Sequence, residues 1–138
     1  MPVAAEKAQQ LVEEFNTFYN VNFDEASLYF VDTPKICELH AQFFDDPSPT
    51  DCISFPMDDA DDEGYRVMGD VFVCPATAMN YVLSNGGDTY QELTLYVIHG
   101  LLHLIGYDDL EEEDQLEMRK EEARFLERVK SAKLWLSP

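Results

Sequence analysis

The spacing of apolar residues changes along the chain and divides it into helical and strand-like segments. Residues 4–19 carry apolar side chains three or four positions apart, which is typical of an amphipathic helix. Short runs rich in β-branched and aromatic residues predict strands. These runs are Ser27–Val31, Cys52–Phe55, Tyr65–Met68 and Val71–Val73. By the same criteria, further helices are predicted over residues 33–44, 76–83, 89–105 and 110–134.

The predicted elements indicate an α+β fold. The strands come early and the helices surround them, so we expect a small mixed β-sheet packed with four to five helices. A chain of this length forms a single domain, residues 1–138. Gly69, inside a strand run, predicts a bulge or a close approach of two backbones. The residues expected to pack into the core from the second and last helices are Ile36, Leu39, Phe43, Leu116, Phe125, Leu126 and Val129.

A buried helix with two histidines is the most specific feature of the sequence. The segment Leu93–Tyr107 contains no Asp, Glu, Lys or Arg and is apolar nearly all round, which predicts a central buried helix. His99 and His103 are four residues apart and share one face of it. Gly106 can adopt the left-handed conformation that ends a helix, so that Asp109 returns toward both rings. Three protein ligands with a fourth position left for water characterise catalytic zinc sites.

A purely structural role is the alternative for these histidines, since a lone histidine on an apolar helix usually finds backbone partners. Two polar rings on one buried face each need a partner, because an unsatisfied buried polar group costs ~1–3 kcal/mol. A shared ion supplies both, so we predict a hydrolytic site with one divalent transition metal. Zn²⁺ is the first choice, with Mn, Fe or Ni as alternatives. His40 is expected on a helix flank, as a surface or packing residue.

The charge balance limits the partners of the protein. Nine basic and 28 acidic residues give a formal net charge of −19. Six of the nine basic residues lie between Arg119 and Lys133; the others are Lys7, Lys35 and Arg66. Because nucleic-acid affinity depends on neutralising phosphates with Lys and Arg, we expect the chain alone to bind a polyanion weakly.

The cysteines and the hydropathy indicate the compartment. Cys37, Cys52 and Cys74 are odd in number and lack the paired spacing of a metal site. We expect small buried apolar residues in a reducing cytoplasm, with Cys74, beside a strand, as the one that could approach the histidines. No run reaches the ~20 apolar residues of a membrane span, and residues 1–6 do not have the composition of a signal peptide. The expectation is a cytoplasmic protein without a membrane partner.

Three segments together carry a resemblance to a known family. His99–Asp108 (HGLLHLIGYD) matches the pattern His-Gly-x-Leu-His-Leu-x-Gly-Tyr-Asp. Pro49–Pro56 (PTDCISFP) is similar to Pro-Thr-Asp-Val-Leu-Ser-Phe-Pro, and Gly69–Cys74 (GDVFVC) to Gly-Asp-Ile-x-Ile-Cys. With their order and separations, these segments resemble the YbeY family of bacterial metal-dependent endoribonucleases, which mature ribosomal RNA. The resemblance covers about residues 10–130.

Two positions depart from the family pattern. The third metal histidine of the family falls on Asp109, so the ligands would be two histidines and one carboxylate. A carboxylate is a legitimate zinc ligand and makes Mn or Fe more plausible than three nitrogens would. Phe44 stands where family members usually carry an arginine that is expected to hold phosphate. Arg66 and Lys35 are the cations that could compensate for it.

The resemblance implies a single-strand-specific endoribonuclease that uses a metal-activated water in ribosomal RNA maturation and small-subunit ribosome quality control. Asp51 and Asp70 are candidates to orient the water or a ligand histidine, and Arg66 is a candidate to meet charge in the transition state. The implied metal ligands are His99, His103 and Asp109. The implied partners are ribosomal RNA and ribosomal small-subunit proteins or assembly factors, whose basic surfaces suit an acidic protein.

Two other functions compete with this interpretation. A zinc protease needs a glutamate directly after the first histidine as its general base, and Gly100 occupies that position. A catalytically weak or inactive ribosome-assembly binding factor, which keeps the metal site for structure, is the second alternative. The substitutions at Phe44 and Asp109, together with the acidic composition, favour that binding role.

Overall fold

Five helices and three strands make up the parts of the chain that the computed structural model describes, residues 1–59 and 63–138. In chain order they are α1 (Ala5–Phe18), β1 (Glu25–Phe30), α2 (Thr33–Phe44), β2 (Cys52–Pro56), β3 (Val67–Val73), α3 (Pro75–Asn85), α4 (Thr89–Leu104) and α5 (Glu112–Ala132). Every predicted element is present, and the α+β class is confirmed. Residues 57–64, five of which are acidic, are predicted to form a solvated connection between two strands. This segment lies partly outside the described residues.

The three strands form one mixed sheet in the order β1–β3–β2. β1 runs parallel to the central strand β3, and β2 runs antiparallel to it. The two strand segments predicted around Gly69 are a single strand, because Gly69 continues the extended chain between them. A Cβ at Gly69 would collide with the carbonyl oxygen of Phe55 on β2, so the predicted close backbone approach is confirmed.

The sheet lies between α2 on one face and α4 on the other. Ile53 and Phe72 are paired across β2 and β3 and pack with Ile36 and Leu39 of α2. Val71, next to Phe72, points to the opposite face and contacts α4 at Gly100. α4 is therefore the central helix, packed against the sheet and against α3 and α5, while α1 packs against α5. The main core is built from these helices and the α4 face of the sheet; its fully buried members include Leu11, Phe15, Val97, Leu101, Phe125 and Val129.

Two predicted core residues are exposed. Phe43 is 53% exposed; it lies near the end of α2, where its ring packs edge to face with Phe55 of β2, with ring centroids 4.8 Å apart. Leu116 is 67% exposed. The inner face of α5 is set by Met118, which is fully buried, and a residue two positions away points about 200° around the helix at 3.6 residues per turn.

Within the described parts of the chain, no helix is long and apolar enough to cross a membrane.

Candidate metal centre

α4 presents the two histidines side by side on one face. The side chain of Asp88 caps its first turn by accepting a hydrogen bond from the Gln91 amide. His99 and His103, one turn apart, place their Nε2 atoms 3.0 Å from each other. Their rings meet edge to face, with centroids 4.6 Å apart. The i, i+4 spacing therefore brings both imidazoles to one point, as predicted.

The end of α4 turns the chain back toward these rings. Gly106 has a φ of +106°, and its amide donates to the carbonyl of His103, while the amide of Tyr107 donates to that of Leu102. This pair of bonds is the Schellman ending of a helix, which needs a residue that tolerates positive φ. Asp109 then lies with Oδ2 3.4 Å from Nε2 of His99 and Oδ1 3.7 Å from Nε2 of His103.

The three side chains fit a divalent transition metal. Each of His99, His103 and Asp109 offers one ligand atom, and all three atoms lie within 4.8 Å of one another. Neighbouring ligand atoms about 2.0–2.1 Å from a tetrahedral zinc are ~3.3 Å apart. The separations of 3.0, 3.4 and 3.7 Å between the atoms here bracket that value. Two imidazole nitrogens and one carboxylate oxygen suit zinc, iron or manganese.

Glu122 of α5 orients His99 from behind. Its carboxylate oxygen Oε2 lies 3.0 Å from Nδ1 of His99, and only 3% of the residue is exposed. A carboxylate accepts, so Nδ1 donates and the Nε2 lone pair of a neutral ring points toward the ligand cluster. The guanidinium of Arg119 lies 2.7 Å from Oε1 of Glu122 and holds this carboxylate in turn. Carboxylate–histidine–metal arrangements of this kind orient metal ligands in proteins.

Sequence reasoning missed Glu122, although the sequence contains a signal for it. Fully buried Met118, Phe125 and Val129 mark the inner face of α5, and residue 122 falls on the same face, four after Met118. A carboxylate among apolar positions needs a partner. The pattern alone shows that a partner exists, but not that it is a histidine on another helix.

The electrostatic field at His99 favours a cation. Burial by itself lowers the pKa of His99, but the hydrogen bond to Glu122 and the charges of Asp51, Glu122 and Asp109 outweigh it. The pKa is therefore raised above its usual value of 6.5. The carboxylates that hold a proton on the imidazole would also attract a divalent cation placed between the same groups.

The ligand cluster lies in a cavity of about 510 Å³, whose wall includes β2, the end of α2 and the turn after α4. Asp51 lines it, and the Oδ1 atom of Asp51 accepts from the Cys52 amide at 2.8 Å. His40 and Phe44 line it from α2. His40, which was predicted to be a surface or packing residue, thus lies at the site. A slightly larger groove of about 560 Å³, between α1 and β1, contains none of the predicted site residues.

The structure does not bring Asp70 or Arg66 to this cavity. Asp70 precedes Val71 on β3 and so faces away from α4. Arg66 lies just before β3, where its amide donates to Asp24 and its carbonyl accepts from the amides of Asp24 and Glu25. Neither residue lines the cavity that holds the histidines. Of the three residues predicted to be catalytic, Asp51 lines the cavity and Asp70 and Arg66 do not; their catalytic roles stay predictions.

Gly100 is required by packing. A Cβ at this position would collide with Val71 and lie 3.1 Å from the hydroxyl of Ser54. That hydroxyl donates to the Gly100 carbonyl at 2.9 Å, which ties α4 to β2. A glutamate, the general base of zinc proteases at this position, cannot be accommodated unless the side chain of Val71 shifts. The packing therefore agrees with the sequence in disfavouring a protease.

The cysteines do not form part of the ligand cluster. Cys74 is fully buried with Ile36, Leu39 and Ile53 on the α2 side of the sheet, so it is not the cysteine that approaches the histidines. Cys52 lines the metal cavity instead. Burial and the nearby carboxylates, Asp51 first among them, raise the pKa of the Cys52 thiol well above its usual value. Cys52 therefore lines the wall with a neutral thiol, and its Sγ is not among the clustered ligand atoms.

Comparisons with known proteins agree with this geometry. The family model described as endoribonuclease YbeY matches residues 3–130. A curated endoribonuclease YbeY from Protochlamydia amoebophila is 53% identical over 113 residues, which are 82% of this chain and 75% of that protein. Another, from Chlamydia trachomatis serovar D, is 39% identical over 119 residues, 85% of this chain and 74% of that protein.

Among solved structures, the solution structure of a Thermotoga maritima protein matches with a TM-score of 0.63 and 27% identity, covering 91% of this chain and 83% of that one. The likeness thus extends over sequence and fold, and it includes the segment that forms the His99, His103 and Asp109 cluster. The chain belongs to the YbeY family of endoribonucleases.

Proposed function

We propose that this chain is a metal-dependent, single-strand-specific endoribonuclease that acts in ribosomal RNA maturation and small-subunit ribosome quality control. The observation that carries the proposal is the convergence of His99, His103 and Asp109, with ligand atoms within 4.8 Å of one another, in a cavity open to solvent. Family membership supports the endoribonuclease activity. We propose Zn²⁺ as the metal, with Mn, Fe or Ni as alternatives.

The residues in and behind the cavity would have different roles in phosphodiester hydrolysis. A divalent metal held by the three ligands would lower the pKa of a bound water toward ~7 and polarise a phosphoryl oxygen. Glu122 keeps Nδ1 of His99 protonated, so that Nε2 remains available as a ligand. We assign to Asp51 the orientation of the attacking water, because it lines the cavity beside His99 and the Cys52 amide fixes its carboxylate.

The partners follow from the charge of the protein. Among the described residues that line the cavity, none is Lys or Arg, and the net charge is −19. We therefore propose that ribosomal RNA binds weakly to the chain alone and that basic small-subunit proteins or assembly factors present it, in the cytoplasm where ribosomes are assembled. Opposite charges on the two proteins would steer that encounter.

Metal content per chain is the test of the site. Elemental analysis of the purified protein is expected to give about one transition metal per chain, and Asp109→Ala is expected to lose it, since a catalytic zinc site has three protein ligands. Asp108→Asn is the matched control, because Asp108 lines the same cavity but does not belong to the ligand cluster. The amide oxygen of asparagine can still accept from the Asp109 amide, as the Asp108 carboxylate does at 2.7 Å. A native protein purified gently without metal would overturn the proposal.

RNA cleavage is the test of the activity. The metal-loaded protein is expected to cut single-stranded RNA internally and to leave a duplex of the same sequence intact, and a chelator is expected to stop the reaction. Loss of activity in Asp109→Ala with retention in Asp108→Asn would link the cleavage to the cluster.

A ribosome-assembly binding factor is the second candidate function. It is favoured by the absence of Lys and Arg from the described cavity lining and by Phe44 in the place of a phosphate-binding arginine. Single-turnover cleavage with added metal and a basic ribosomal protein separates the two functions. Failure to cleave under those conditions, together with stable binding to small-subunit particles, would establish the binding role.

A further inference from the structure

We infer that Phe44, supported by His40, forms a nucleobase-binding subsite at the rim of the metal cavity. The inference rests on the proposed function, because it names how that site would hold its RNA. The described residues that line this cavity include no Lys or Arg to hold a phosphate. Arg119 lines a neighbouring pocket with His99 and Asp51, but its guanidinium is paired with Glu122. An aromatic contact at the rim is therefore a second source of affinity near the metal.

Phe44 is an exposed aromatic ring on a functional cavity. It is the last residue of α2 and is 57% exposed, yet it lines the same cavity as the ligand cluster. Phe43 beside it is 53% exposed, but it contacts Phe55 and does not line the cavity. Two adjacent phenylalanines of similar exposure thus differ in whether they face the site.

The Phe44 ring is supported on one side. His40 precedes it by one helical turn, and the two ring centroids are 5.7 Å apart with the planes tilted by 54°. Nδ1 of His40 lies 2.8 Å from the Ser48 carbonyl, and because a carbonyl only accepts, Nδ1 must donate. This bond fixes the imidazole against which Phe44 rests. An aromatic ring that is held at its base and open to solvent can stack with a nucleobase.

The charges around the cavity favour a base over a phosphate at this rim. The described acidic residues that line it are Asp51, Asp108 and Asp109. These carboxylates repel a phosphate, whereas the π face of a base carries no net charge. Stacking on an aromatic side chain is also tolerant of sequence, because every base has such a face. The chemistry of the rim therefore fits one base of a single strand.

The exposed fractions of the lining residues show that the ligand cluster lies deep in the cavity and that Phe44 lies at its rim. His99, at the floor, is 8% exposed, whereas the rim residues Phe44 and Leu110 are 57% and 79% exposed. A base on Phe44 would thus lie outside while its backbone leads inward to the ligand cluster. In a duplex the bases are stacked on each other and do not offer a free face, so this subsite selects single strands.

The test measures how tightly the zinc-loaded protein binds a single-stranded RNA oligonucleotide labelled with 2-aminopurine. Stopped-flow fluorescence monitors the binding before cleavage proceeds. Phe44→Ala is expected to raise the Kd by about 5- to 150-fold, which corresponds to ~1–3 kcal/mol per stacked base at tenfold per 1.4 kcal/mol. Phe44→Trp is expected to bind at least as tightly as the unaltered protein. Phe43→Ala, the matched control, is expected to stay within about twofold, since it lacks the cavity contact.

The outcomes separate this inference from the proposed function. Equal Kd values for the unaltered protein and Phe44→Ala, with cleavage intact, would overturn the subsite and leave the nuclease standing. Phe44-dependent binding without any cleavage would support the subsite and count against the nuclease. An equal loss of affinity in Phe43→Ala would also overturn the subsite, because the effect would then not depend on the cavity.

Discussion

The carboxylate of Glu122 decides which nitrogen of His99 faces the ligand cluster. It is 3% exposed, it accepts from Nδ1 at 3.0 Å, and Arg119 neutralises it from the other side. A buried charge is tolerated only when it is paired, and here the pairing serves the site, because the imidazole becomes a better electron-pair donor when its other nitrogen donates to a carboxylate.

Glu122→Gln is expected to weaken metal binding about 10- to 100-fold, the usual cost of removing a partner of this kind. The amide oxygen of glutamine can still accept from Nδ1, so the variant removes the charge and leaves the shape. Competition with a chromophoric chelator measures the affinity. Glu121→Gln is the matched control, because Glu121 is equally buried but pairs with Arg124. The same loss in both variants would show a general effect of the α5 charges, and would contradict the role given to Glu122.

The ligand residues were predictable because their geometry is local. His99 and His103 are one turn apart on one helix, and Gly106 and Asp109 follow within six residues. Helix periodicity therefore places the two histidines on one face, and a glycine that ends the helix brings Asp109 back toward them. Glu122 reaches the site from another helix, and no local rule relates its position to His99. Asp70 shows the converse: a polar residue beside a strand glycine draws attention in the sequence, but the side that it faces depends on strand pairing.

At the scale of elements, the site depends on how closely α4 lies on the sheet. Gly100 allows this approach, since a Cβ there would meet Val71 and Ser54, and the Ser54 hydroxyl donates to the Gly100 carbonyl. The predicted helices and strands were correct because their period and their end signals are local. The predicted burial of Phe43 and Leu116 was wrong, because burial depends on which face of each helix packs against its neighbours.

Gly100→Ala is expected to destabilise the protein by up to ~2 kcal/mol, because an overpacking cost of ~1–3 kcal/mol is only partly offset by the gain of ~1 kcal/mol in helix propensity. Val71→Ala makes room for the new methyl group. The double variant should therefore lose less stability than the sum of the single losses, with a coupling of ~0.5–3 kcal/mol. Urea unfolding in the presence of a chelator measures this without a contribution from metal. Additive losses would mean that Val71 does not limit the approach of α4.

For the molecule as a whole, the three arginines of α5 pair with the protein's own acidic residues. Arg119 pairs with Glu122, Arg124 with Glu121, and Arg128 with Glu14, at 2.7, 2.5 and 2.6 Å. The net charge of −19 then acts on RNA mainly as long-range repulsion, which salt screens. The net charge could be predicted from the composition, but only the fold shows which acidic residue each arginine pairs with.

RNA binding should consequently depend little on salt. When a protein neutralises Z phosphates of a single-stranded RNA, the slope of log K against log[salt] is about −0.7Z. Here at most one phosphate is neutralised, so the affinity should fall less than about threefold between ~50 and ~200 mM salt. Phe44→Arg adds one cation at the rim of the cavity and should steepen the slope by about 0.7. Fluorescence anisotropy at fixed metal concentration measures both slopes. A slope of about −3 in the unaltered protein would reveal several phosphate contacts, and RNA would then be held by a basic surface outside the cavity, with stacking on Phe44 a minor part of the affinity.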